Sequence, residues 1–102
     1  MYKKIVEEFS NNPRDIHTVP VIKRESKWFF VFANEKGIFV ESAHYNEPKS
    51  QIKKPILLRQ EELEKILMLY HRRMRGESVS LEAQSSTRAQ VYWYGIFFEM
   101  NL

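Results

Sequence analysis

The order of apolar and polar residues divides this chain into stretches of different period. Over residues 58–76, Leu63, Ile66, Leu67, Tyr70 and Met74 recur at three- and four-residue spacing, which puts them on one face of a helix, while Glu61, Glu62, Glu64 and Lys65 fall elsewhere. The glutamates lie towards the N-terminal end of this stretch and Arg72, Arg73 and Arg75 towards the C-terminal end, each where the helix dipole favours its charge. Gly76 suits the left-handed conformation of a helix C-cap. The pattern predicts an amphipathic helix over 58–76 on which the rest of the chain packs. A shorter helix is expected at the N-terminus: Tyr2, Ile5, Val6 and Phe9 share a helical face, and Ser10, Asn11, Asn12 and Pro13 end the run. So brief a helix must dock on the body to persist, as a lid over one sheet face.

From Thr18 the period becomes extended. Val19, Val21 and Ile22 surround Pro20, whose missing N–H places such a strand at a sheet edge, the preferred reading, or starts it after Pro20. Residues 28–33 are apolar at both alternate sets, as in a central strand, and 38–43 return after a turn at 34–37 in which Gly37 can adopt positive φ. Residues 44–55 have no period, two prolines and three lysines, and read as a loop; 77–87 are polar and serine-rich. The last segment, 88–102, is open to two readings. As a strand it would extend the sheet; as a helix capped by Ser86 or Thr87 it would carry one stripe of Val91, Tyr94 and Phe98 and another of Ala89, Trp93, Ile96, Phe97 and Met100. The helix is preferred. The expected fold is α+β: a small antiparallel sheet of two or three strands, with a fourth only if the C-terminal segment is extended, packed against the central helix and flanked by a short N-terminal helix and an aromatic C-terminal helix.

Composition narrows the classes. At 102 residues the chain is one domain's length, 1–102, and its rings cluster in 28–32 and 92–98, which implies two core-forming segments. The absence of cysteine excludes disulfides, thiol catalysis and cysteine-rich metal sites. Glu7 and Glu8 interrupt what a signal peptide would need, and no apolar run reaches the roughly 18 residues of a membrane span, so a soluble cytoplasmic protein with no membrane association is expected. The net charge of +3 permits an anionic partner without requiring one.

Candidate chemistry is sparse. His17, His44 and His71 lack the paired spacing of metal ligands. Asp15 with Glu25, Ser26 and Lys27 superficially resembles the acid and Glu-x-Lys pattern of metal-dependent nucleases, but Asp15 is the sole aspartate and a Glu-x-Lys triplet is expected by chance in so charged a chain. Gly37, Gly76 and Gly95 are too dispersed for a phosphate-cradling loop, and read as a turn, a cap and a close-packing point. No catalytic residue, metal or cofactor is expected, and binding is favoured over catalysis. The basic groups give the functional lead: Lys53 and Lys54 on the loop, Arg72, Arg73 and Arg75 at the helix end, and Arg88 with Gln90 at the start of the last segment form a candidate nucleic-acid-binding set. The alternative is a protein-interaction or homo-oligomerising module that uses exposed aromatic surface.

Overall fold

The computed structural model describes residues 1–19, 25–77 and 89–102. Their architecture is α+β. Four strands, β1 (Arg14–His17), β2 (Trp28–Asn34), β3 (Gly37–Ser42) and β4 (Ile56–Leu58), form an antiparallel sheet in the order β1-β2-β3-β4. Helices α1 (Tyr2–Asn11), α2 (Leu63–Met74) and α3 (Gln90–Glu99) gather on one of its faces. Strand alternation explains why. Phe29 and Val31 of β2, Ile38 and Val40 of β3, Ile16 of β1 and Leu58 of β4 share that face, and all are buried against Ile5 and Phe9 of α1 and Trp93, Ile96 and Phe97 of α3.

The tight ends have local causes. Asn34 pairs with Gly37, so only Glu35 and Lys36 connect β2 to β3, and Gly37 takes φ +134°, which disfavours any residue with a Cβ. The Tyr2 hydroxyl accepts from the Ile38 N–H at 3.2 Å and donates to the Leu58 carbonyl at 2.7 Å, tying α1 to two strands at once. After Met74, Gly76 at φ +90° lets its own N–H reach the Arg73 carbonyl and the Glu77 N–H reach Arg72, a Schellman closure.

Several sequence-based expectations need correction. The helical run does not start at Leu58: Leu58 is the inward-facing end of β4, Arg59 is extended, and a single 3-10 turn at Gln60–Glu62 precedes α2. The buried stripe of α2 is Leu63, Ile66, Leu69 and Tyr70; Leu67 is only partly buried and Met74 is exposed. Nor is α2 the organiser. It rests mainly on α3, which lies against β1, while α1 covers β2 and β3 as the expected lid. The first described strand is Arg14–His17, an edge strand that ends before Thr18, and the strand expected around Pro20 falls on residues 20–24, which lie outside the described ones. The polar look of β1 reflects edge duty: Arg14 stacks over Phe9 at 4.7 Å and pairs with Glu8 and Glu99, and Ile16 alone is buried. The fourth strand is β4, not the C-terminal segment, which is helical as preferred. The expected caps Ser86 and Thr87 and the serine-rich segment lie outside the described residues apart from Glu77, and α3 opens at Ala89 without a side-chain cap. Among the described residues no helix is long and apolar enough to cross a membrane.

Candidate functional site

Among the described residues the sequence-derived basic set does not form one free patch. Arg73 turns inward: its guanidinium lies 4.7 Å over the Tyr94 ring and one nitrogen donates to the Val19 carbonyl, while its Nη1, like the Tyr94 hydroxyl, is buried without a partner. Burial lowers its pKa, which the neighbouring tyrosines partly offset. Arg72 donates to Glu77 at 2.9 Å and Arg75 donates to the same carboxylate at 3.4 Å. Those hydrogen bonds, led by the one from Arg72, hold the Glu77 carboxyl below its ordinary range. Gln90 opens α3 with a buried Oε1 that has no partner, and Arg88 lies outside the described residues. Lys53 and Lys54 are exposed just ahead of β4. They share an end of the sheet with Arg73, which reaches the chain just beyond β1, but at the opposite edge, roughly 14 Å away across strands spaced about 4.8 Å apart.

Lysines gather at that end instead. Lys27 precedes β2, Lys49 forms an isolated bridge with Trp28, and Lys53 and Lys54 precede β4; none has a carboxylate partner among the described residues, although Glu25 and Glu47 lie in the same segments.

The sheet's second face carries a row of aromatic rings. Alternation puts Trp28, Phe30 and Phe32 of β2, Phe39 and Glu41 of β3, and Leu57 of β4 on the side away from the helices. Among the described residues the helices pack on the other side, and Phe98 of α3 reaches only the β1 edge of this face, its ring 5.9 Å from that of His17. Phe32 and Phe39 stand parallel, 10° between planes and 5.3 Å between centroids, and both are half-buried; Leu57 beside them is 42% exposed. At the lysine end the face has a partial cover. The chain leaves β3, crosses to β1 and returns beside Trp28, where the Trp28 N–H donates to the Pro48 carbonyl and the Ser50 N–H to that of Trp28.

One carboxylate holds this strap. Asp15 accepts the backbone N–H groups of His44 and Tyr45 at 2.8 Å and Asn46 at 2.9 Å, plus the Asn46 side-chain amide at 3.1 Å. Burial would raise the Asp15 pKa, but the four hydrogen bonds outweigh it and the net shift is downward. Asp15 thus has a structural task that accounts for it without a metal. The strap lays the His44 ring flat on Phe30, 5° between planes and 3.6 Å between centroids, and Nε2 of His44 meets the Glu41 carboxylate. Phe30 is thereby reduced to 9% exposure, while Tyr45 at the crest is 82% exposed. Trp28 is half-buried, edge-on to His17, and Trp93 is fully buried in the core.

A signal for this face existed in the sequence. The two alternate sets of residues 28–33 differ, Trp-Phe-Phe against Phe-Val-Ala, and the all-ring set is the one away from the helices. Compared with protein-family models, curated proteins and solved structures, the chain matches none.

Proposed function

We propose that this chain is a non-enzymatic binding module that takes single-stranded nucleic acid on the uncovered face of its sheet. One observation carries the reading: a ring-bearing sheet face, met by a helix only at its β1 edge, ends in four lysines without carboxylate partners, both among the described residues. Flat aromatic rings on a sheet offer stacking surfaces to unpaired bases, and lysines beside them attract the phosphates. The helix-end arginines are weaker candidates, since Arg72 and Arg75 share Glu77 and Arg73 is turned inward.

A short labelled single strand should bind with an affinity that falls with salt. Replacing Lys49, Lys53 and Lys54 by glutamine should reduce the log–log salt slope by about 2, at roughly 0.7 for each phosphate no longer neutralised. The same change at Lys3, Lys4 and Lys65, on the helices, should leave it nearly intact. Equal effects from both sets would reduce the binding to general attraction by a basic protein and overturn the reading.

A protein partner is the second reading, favoured by the exposure of Leu57 and Tyr45 on this face. Pairing through the β4 edge of the sheet is disfavoured. Counting from the hairpin, Leu57 turns its backbone groups outward, but Pro55 on one side has no N–H and Arg59 on the other gives its N–H to Glu62. The β4 edge therefore offers one residue, which favours the ring-bearing face over that edge for a protein partner.

A further inference from the structure

His44 is constrained on three sides. Its backbone N–H is held by Asp15, its Nε2 by Glu41, and one ring face is closed by Phe30 at 3.6 Å. The side chain nonetheless remains 39% exposed, with the Tyr45 ring tilted beside it at 5.9 Å between centroids. An imidazole fixed in this way has given up its rotamer freedom before any ligand arrives, so a planar ligand can stack on it without ordering it first. Phe30 beneath it is tilted towards Phe32, which is parallel to Phe39, so the fixed ring and the phenylalanine pair lie side by side on one surface. The lysine end adjoins it: Lys49 bridges to Trp28, the residue from which β2 leads to Phe30.

We propose that the outer face of His44 is a stacking plate for one unpaired nucleobase, with the Phe32 and Phe39 rings receiving the next. Asp15 and Glu41 are positioning residues that hold the plate. This rests on the single-strand reading above, and charge complementarity with Lys49, Lys53 and Lys54 selects a polyanion over an apolar peptide as the occupant.

The test uses the whole chain and a short single strand containing 2-aminopurine, whose emission is quenched on stacking. Binding should quench the probe. His44→Ala should weaken affinity about ten-fold or more, as expected when a base-stacking ring is removed, and relieve the quenching. His44→Phe, which keeps a ring on Phe30 but cannot bond to Glu41, should retain most of both, so a general collapse of the strap would be distinguished from loss of the plate. Glu41→Gln should give partial relief of quenching with an unchanged melting temperature. If His44→Ala binds and quenches like the parent while the lysine-dependent salt slope persists, the plate is overturned and the binding reading survives. If no single strand binds at low salt, both fall. A concentration-dependent dimer in that case would assign the face to a second copy of the chain.

Discussion

At Gly95 two residue-level effects oppose each other, and their sizes decide the outcome. The residue lies inside α3, where alanine is intrinsically favoured over glycine by up to about 1 kcal/mol. A Cβ there would stand 2.8 Å from the His17 carbonyl oxygen and 2.9 Å from Cζ of the buried Phe29. Neither neighbour gives way cheaply, since one is strand backbone and the other is a fully buried ring, and overpacking of this kind costs about 1–3 kcal/mol. With contacts this short the cost falls towards the upper end of that range, so Gly95→Ala should destabilise the protein by about 2 kcal/mol net in urea unfolding. A neutral or stabilising result would mean that α3 does not approach β1 so closely. Gly95 was legible in the sequence as a close-packing point, because the apolar run around it leaves no turn for it to serve.

Helix α2 separates what periodicity can read from what it cannot. Its existence, its charge order and its glycine closure follow from local spacing and local electrostatics, and so does the paired hairpin of β2 and β3. Which apolar residues on α2 are buried depends on the partner, and that partner is an aromatic helix some 20 residues later in the chain. Met74 fits the stripe by spacing but runs past the packed interface, while Leu69, off the expected stripe, is fully buried. Leu69→Ala should thus cost about 3 kcal/mol and Leu67→Ala about 1 kcal/mol, read from denaturant midpoints with an unchanged slope. Equal costs would place α2 differently on α3. β4 is illegible for a related reason: three residues carry too little alternation to signal a strand, and pairing with β3 defines it. The uncovered face was half legible. Its ring-only alternate set is in the sequence, but continuous apolarity suggested burial on both sides, and nothing local announces that one aspartate pins a loop 30 residues away.

On the scale of the whole molecule, stability and the candidate binding face lie on opposite sides of the sheet. The fully buried residues of the helical side form the core, whereas the crest of the strap over the other face, residues 44–46, is held by the Asp15 carboxylate, one ring stack and the His44–Glu41 pair. Segments secured by so few groups open with less free energy than the core does. Asp15→Asn should release the strap, because asparagine keeps one acceptor and replaces the other with an NH2 facing the strap's own N–H groups; hydrogen bonds to a charged group contribute about 1.5–3 kcal/mol net. The expected signature is faster amide exchange at His44, Tyr45 and Asn46, with exchange at Val31 and Val40 nearly unchanged. Acid should reproduce it in the parent protein. The folded-state pKa of Asp15 is below its unfolded value, so its contribution is complete above about pH 4 and disappears as pH falls through the folded pKa, when the carboxyl becomes protonated. The exchange difference between parent and Asp15→Asn should accordingly be large at neutral pH and shrink in that acid range. If the core amides lose protection in step with the strap, the two sides of the sheet unfold as one unit and the separation of core from binding face is wrong.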